Sequence, residues 1–153
     1  MLYTIGEMAK VLGIKASTLR YYDKEGLLPF VERSSGGIRM FTDGDYATLK
    51  LINCLKKSGL SIKEIKEFIK MAAMGDSSLK ERQKLFENRR KAVKKQIEEL
   101  NETLEVLNYK CWYYETAVNA GSESAVKKLS AKDLPPELQK AKSKLLLDGK
   151  HNN

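Results

Sequence analysis

The chain has 153 residues, enough for one domain or for one small domain with an extension, and 31% of them are charged. Its net charge of +8 favours a polyanionic partner, either nucleic acid or an acidic membrane surface. No segment has the pattern of a signal peptide or a bilayer span, and the two cysteines, Cys54 and Cys111, lie too far apart in sequence to suggest a disulfide framework. This composition excludes membrane-spanning and disulfide-rich secreted classes and indicates the cytoplasm.

Two short helical patterns open the chain. Thr4 precedes apolar residues at helical spacing and lies three residues before Glu7, as in a capping box. Gly13 is predicted to end this first helix, because glycine takes the left-handed conformation without a penalty. A second helix is predicted from Lys15 to Gly26. Together they indicate a helix-turn-helix, with an ordinary hairpin of two helices as the alternative.

The second helix carries side chains suited to DNA recognition. Ser17 and Thr18 are short hydrogen-bonding residues near its N-terminus, and Arg20 offers a planar guanidinium to a guanine edge or a phosphate. Three further side chains can reach the oxygens of the DNA backbone: Tyr21, Tyr22 and Lys24. The helix is therefore predicted to contact DNA.

A glycine-containing loop follows the second helix. Extended segments at 31–33 and 38–41, separated by Ser-Ser-Gly-Gly, predict a small β-hairpin. Arg33 and Arg39 flank its turn, where they could lie along phosphates or enter a minor groove. Gly37, in the turn itself, is predicted to contact DNA with them.

Two more helices are predicted before the middle of the chain. Thr42 or Asp43 caps a third helix, whose apolar residues recur at helical spacing. A break at 58–59 ends it. Ser61 then caps a fourth helix that ends near Met74.

A much longer helix is predicted from Ser77 to about Ala120. Apolar residues occupy the d positions over more than five heptads and the later a positions, while Gln83 and Arg90 occupy the first two a positions. This pattern indicates a coiled coil, because a lone helix would expose its apolar residues to water. A helix folded back on its own domain is the alternative. The predicted dimerisation residues are Phe86, Val93, Ile97, Leu100, Leu104, Leu107, Cys111 and Tyr114. Weak helical patterns follow at 124–129 and 133–147, then a disordered tail with an inert His151.

Three strings, TIGEMAKVLGIKASTLRYYDKEGLLPF, GGIRMFTDGD and LKKSGLSIKEI, resemble the winged helix-turn-helix of the MerR family of bacterial transcription regulators. The resemblance implies a mainly α fold. A winged DNA-binding domain with a small β-hairpin wing would span 1–75, a coiled-coil dimerisation helix 76–120, and a short, partly helical tail 121–153. The implied partners are double-stranded promoter DNA, RNA polymerase and a second copy of the chain in an antiparallel coiled coil. No cofactor or metal is expected.

The same resemblance makes the third string a second wing. Lys57 and the backbone amides of Ser61 and Ile62 would bind phosphate, as helix N-termini do. Thr4, at the start of the first helix, is included among the DNA contacts. A plain capping role for Ser61 is the alternative, and both roles are compatible. The homodimer would bind a pseudo-palindromic site and distort the promoter spacer.

Cys54 lies on the third helix, between Lys50 and Lys57, and nearby cations favour the reactive thiolate. This cysteine and the string Tyr109–Gly121 resemble the thiol- and aldehyde-responsive subgroup of the family, so Cys54 is a candidate sensor. The alternative for Cys54 is a small buried apolar residue. Cys111, at an a position, is predicted to pack.

Two other function classes compete with a sequence-specific regulator. An enzyme has little support, because there is no glycine-rich phosphate loop and no acid pair in a plausible pocket. A non-specific architectural DNA-binding coiled-coil protein shares the basic charge and the long helix. It would bind DNA without sequence preference and with a steep dependence on salt.

Overall fold

The structure is a computed structural model that describes residues 1–145. The expected disordered tail at 148–153, with His151, lies outside the described residues. The elements follow in the order β1 (Leu2–Tyr3), α1 (Ile5–Leu12), α2 (Ala16–Lys24), β2 (Phe41–Thr42), α3 (Asp43–Lys57), α4 (Ile62–Ala73), α5 (Leu79–Ala120), α6 (Glu123–Lys127) and α7 (Pro136–Leu145). The fold is mainly helical, with a winged helix-turn-helix followed by a long helix, as predicted.

The helix-turn-helix has the predicted start and turn. The Thr4 hydroxyl accepts a hydrogen bond from the Glu7 N–H, and the Glu7 carboxylate accepts the Thr4 N–H at 2.8 Å. Gly13 adopts a φ of 67° after α1, which favours glycine because a Cβ would be strained there. The chain then turns into α2 within three residues.

Residues from the first four helices form one core within a compact unit, Met1–Val93. Its most completely buried large side chains are Met8, Leu19, Leu27, Leu28, Phe41, Leu49, Ile52 and Ile65. Phe41, which follows the first wing, is fully buried. This core fixes α2 against α1 and α3.

The β-structure differs from the prediction. The paired strands are β1 and β2, which run antiparallel with Leu2 opposite Thr42 and Tyr3 opposite Phe41. The predicted hairpin at 31–41 is short, with one antiparallel bridge between Arg33 and Arg39. Backbone hydrogen bonds flank the bridge, from the Ser34 N–H to the Ile38 carbonyl at 2.8 Å and from the Met40 N–H to the Glu32 carbonyl at 3.1 Å. A two-stranded hairpin without a third strand is only marginally stable in water, so further backbone pairing would add little to its stability.

A short 3₁₀ turn, Gly75–Ser78, links α4 to α5, so the long helix begins two residues after the predicted start. The buried Ser78 hydroxyl donates to the Met71 carbonyl and accepts from Arg82 Nε at 3.0 Å. Arg82 also donates to the Gly75 carbonyl at 2.7 Å. These bonds connect the end of α4, the 3₁₀ turn and the first turns of α5.

A second compact unit begins at Lys94 and includes the C-terminal part of α5 with α6 and α7. Its core comprises Tyr109, Tyr113, Ala117, Val126, Leu134 and Ala141. The Tyr113 hydroxyl donates to the Glu123 carboxylate at 2.9 Å, which raises the pKa of the phenol. The two weak helical patterns after Gly121 therefore correspond to α6 and α7, which pack on α5. Within residues 1–145, no helix has the length and apolarity that crossing a membrane requires.

Candidate nucleic-acid interface

One face of α2 is polar and exposed. Ser17, Arg20, Tyr21 and Lys24 are all exposed, and their spacing of i, i+3, i+4 and i+7 places them on the same side of the helix. The opposite side carries Leu19, which is fully buried. The core therefore orients α2 so that its hydrogen-bonding and cationic side chains point to solvent, as a recognition helix requires.

Two predicted contact residues of α2 lie outside this exposed face. Thr18 is half-buried, and Tyr22 is only 3% exposed. The Tyr22 ring packs in the core, and burial raises the pKa of its phenol. Tyr22 packs there because its i+3 spacing from Leu19 puts both on the inner side of α2, and its contact with DNA stays a prediction.

The two arginines of the first wing have different surroundings. Arg33 is 53% exposed, donates to the Gly37 carbonyl at 2.9 Å and lies 3.4 Å from an Asp23 oxygen. Arg39 is 20% exposed, donates to the Val31 carbonyl at 2.5 Å and forms an ion pair with Asp23. Arg33 is thus accessible to a phosphate, whereas Arg39 is engaged within the protein.

Gly37 lies at the tip of the same wing, with a φ of 75°. Its N–H donates to the Ser34 carbonyl at 2.8 Å, and the Ser34 N–H donates to the Ile38 carbonyl at the same distance. Ile38 is 61% exposed. The tip is therefore a tight turn that presents backbone and an apolar side chain to solvent.

The second wing combines a capped helix with an exposed cation. Ser61 accepts from the Glu64 N–H at 3.2 Å, and the Ser61 N–H donates to the Glu64 carboxylate at 2.7 Å. The backbone hydrogen bond with Ser61 lowers the pKa of Glu64. Ser61 therefore has the capping role, and its amide is already bonded to the Glu64 carboxylate. The half-buried Ile62 and the exposed Lys57 remain for the predicted phosphate contact. Thr4 caps α1 in the same manner.

Most of the predicted dimerisation residues on α5 are exposed in the protomer. Ile97, Leu104 and Leu107 are 51–55% exposed, and Leu100 is 68% exposed. We call the a and d positions from 93 onward the α5 stripe; its members are Val93, Ile97, Leu100, Leu104, Leu107, Cys111, Tyr114 and Val118. Val118, which is 77% exposed, continues the heptad and was missed by the sequence prediction.

The chain's own C-terminal helices cover another side of α5. Tyr109, Tyr113 and Ala117 are buried against α6 and α7, whereas the α5 stripe is half-buried at Val93 and exposed from Ile97 onward. The alternative of a helix folded back on its own chain is therefore not observed for the stripe within residues 1–145. Phe86 differs from the other predicted dimerisation residues, because its ring packs edge-on against Phe68 at 5.4 Å.

The two cysteines are both exposed in the protomer. Exposure of Cys54 contradicts the alternative of a small buried residue on α3. Lys50 and Lys57 lie four residues before it and three after it, on the same side of the helix. Within residues 1–145, no three His, Cys, Asp or Glu side chains are grouped as a metal site would require.

Comparison with known proteins identifies the family. The family model described as MerR HTH family regulatory protein matches residues 3–72, and the model described as MerR, DNA binding matches residues 46–109. An uncharacterized HTH-type transcriptional regulator of Haemophilus influenzae is 49% identical over 126 residues, which cover 82% of this chain and 93% of the relative. The chain belongs to the MerR family.

Two further MerR proteins refine the comparison. The regulator AdhR of Bacillus subtilis is 35% identical over 86 residues, or 56% of this chain; the match spans 61% of AdhR, less than two thirds of its length. The crystal structure of HiNmlR, a MerR family regulator lacking the sensor domain, bound to promoter DNA, has a TM-score of 0.79 and 47% identity. The superposition includes 88% of this chain and 100% of the HiNmlR chain. The chain is a DNA-binding transcriptional regulator, and its family consists of such regulators rather than enzymes.

Proposed function

We propose that this MerR regulator binds a pseudo-palindromic promoter site with sequence specificity, as a homodimer that places one α2 in each of two major grooves. The observation that carries the proposal is the similarity, at 47% identity, to HiNmlR, a regulator whose structure was determined bound to promoter DNA. The exposed face of α2 supports it, since Arg20 and Ser17 there can reach base edges while Lys24 reaches phosphates. Arg33, Gly37 and Lys57 add backbone contacts from the two wings.

The α5 stripe supports the homodimer. Its apolar side chains are about half exposed in one protomer, and their heptad spacing allows a second α5 to cover them. Burying them against an identical helix removes apolar surface from water on both partners, which favours association. The resemblance to the family implies that the two helices run antiparallel.

The regulatory step in this proposal is a change in the shape of the promoter. The dimer bends and untwists the DNA between its two half-sites, so that promoter elements separated by too long a spacer become aligned for RNA polymerase. The cost of that deformation depends on the sequence being deformed, so base pairs that the protein does not touch contribute to specificity.

Cys54 is the proposed sensor of an aldehyde, another electrophile or an oxidant. Its thiol is exposed on α3, and Lys50 and Lys57 lie one turn before and after it on the same side of the helix. A Cys54→Ala variant is expected to bind promoter DNA normally but to lose the response to the electrophile. Cys111→Ala is the matched control. It also removes a thiol, but one that lies in the α5 stripe, which the second α5 covers in the proposed dimer. Full inducible control by Cys54→Ala in cells would eliminate Cys54 as the sensor.

A non-specific architectural role is the second candidate function, and the net charge of +8 is the observation that favours it. Its binding would come from phosphate neutralisation alone and would fall steeply with salt on every sequence.

A gel shift on the DNA upstream of the protein's own gene, with excess random DNA, separates the two functions. We expect binding that survives the competitor and a footprint with two half-sites. If random DNA displaces all of the protein from this DNA and from duplexes that the protein has selected, the architectural function is favoured.

A further inference from the structure

Asp23 lies one residue before the C-terminus of α2 and connects that helix to the first wing. One carboxylate oxygen pairs with Arg39, and the other lies 3.4 Å from a nitrogen of Arg33. Arg39 Nη1 donates to the Val31 carbonyl at the base of the wing, and Arg33 Nη1 donates to the Gly37 carbonyl at its tip. A single carboxylate therefore links the C-terminal end of α2 to both sides of the wing.

The two arginines lie directly opposite each other, as the partners of the single bridge in the wing. Like charges in this arrangement repel and would open the wing. The Asp23 side chain is 20% exposed, so it balances one of these charges in partly desolvated surroundings, where the attraction is stronger than in water. Without this carboxylate, nothing else among the described acidic groups pairs with either arginine.

The contacts of the two arginines also differ in strength. Arg39 is 20% exposed, and its Nε is buried without a hydrogen-bond partner in the described residues. Arg33 is 53% exposed, and its 3.4 Å contact to Asp23 lies at the weak end of the hydrogen-bond range. Arg33 can therefore leave Asp23 for a phosphate at small cost, whereas Arg39 cannot.

We propose that Asp23 is a positioning residue that fixes the first wing relative to α2, with Arg39 as its permanent partner and Arg33 as the arm that transfers to DNA phosphate. The inference rests on the proposed sequence-specific binding and adds the source of part of that specificity. The spacing between the wing and α2 decides whether base and phosphate contacts form together, so a loosened wing weakens binding to the correct site more than binding to random DNA.

The decisive variant is Asp23→Asn, which keeps the shape of the side chain and removes its charge. The probes are a duplex selected from a random library by the wild-type protein and an unselected duplex of equal length, each titrated over a range of salt concentrations. We expect the ratio of the two affinities to fall about tenfold, as when one charge-assisted hydrogen bond is lost. On the unselected duplex the salt slope steepens by about one unit, because one more arginine is free for phosphate.

Glu25→Gln is the matched control, since it removes the same charge two residues away without an ion pair to the wing. We expect it to leave the affinity ratio unchanged. Arg39→Lys provides a second test that keeps all charges: it loses the two-pronged contact and should lower the affinity ratio with no change in salt slope. Arg33→Gln should instead flatten the slope by about one unit on both duplexes. Thermal unfolding without DNA checks that each variant is folded.

The outcomes separate this inference from the proposed function. If the wild-type protein enriches no sequence from the library, the proposal of specific binding fails, whatever Asp23 does. If wild-type selectivity is clear but folded Asp23→Asn and Arg39→Lys both retain it, the positioning role of Asp23 is overturned.

Discussion

The dimerisation proposal can be tested most sharply at Leu100, the most exposed leucine of the α5 stripe. Fully burying a leucine contributes about 1.5–3 kcal/mol, and Leu100 is 68% exposed in the protomer, so covering it contributes about 1–2 kcal/mol. A two-fold interface contains the residue twice. Leu100→Ala should therefore weaken the dimer by about 2–4 kcal/mol, which corresponds to a dissociation constant about 30- to 700-fold higher.

Sedimentation equilibrium over a range of protein concentrations measures that constant directly. Glu98→Ala is the matched control, because Glu98 is exposed on the same helix outside the stripe. Alanine favours helix at least as well as leucine does, so Leu100→Ala should not melt α5, and circular dichroism verifies this. A dissociation constant for Leu100→Ala equal to that of the wild type would refute the stripe as the interface.

Three further predictions concern α2 and the helix caps. Arg20→Ala should weaken binding to a selected duplex by about 1–3 kcal/mol, measured by fluorescence anisotropy. Arg20→Lys should recover only part of this binding energy, because lysine lacks the planar guanidinium. Full recovery by lysine would exclude a two-pronged contact with a base. Ser61→Ala should lower the free energy of unfolding by about 1 kcal/mol in urea denaturation, and an unchanged midpoint would show that the cap contributes nothing. Acid should destabilise the protein below about pH 4.5, because backbone hydrogen bonds lower the pKa of Glu7 and Glu64 in the folded state. The two carboxylates contribute fully to stability above the ordinary pKa of glutamate. That contribution is lost as the pH falls through their lower pKa in the folded protein. Melting temperatures between about pH 7 and 3 test this, and the double variant of these residues to glutamine should lose less stability than the wild type does on acidification.

Local chemistry made much of the fold predictable. Thr4 and Ser61 each precede a glutamate by three residues, and both form the predicted capping boxes. Gly13 ends α1 in the left-handed conformation, as its position required. The α5 heptads indicated a continuous helix because one apolar spacing persisted over its whole length. In each case the interacting groups are close in sequence, so the pattern contains the necessary information.

The parts that could not be predicted depend on contacts between distant residues. The pairing of β1 with β2 joins residues about 40 positions apart, and neither two-residue strand has a pattern of its own. Asp23 lies on a helix predicted to bind DNA, so its pairing with two wing arginines had no local signal. The burial of Tyr22, by contrast, could have been predicted, because its spacing of three residues from Leu19 places it on the inner side of α2. The DNA contacts and domain boundaries proposed for the chain stay predictions.

The most direct test of the account is footprinting on the DNA upstream of the protein's own gene, with excess random DNA and with the mass of the complex measured in parallel. The account predicts that one dimer protects two symmetrically arranged half-sites, with hyperreactive positions between them where the duplex is distorted. A monomer on a single half-site, or uniform protection with no preferred position, would contradict it.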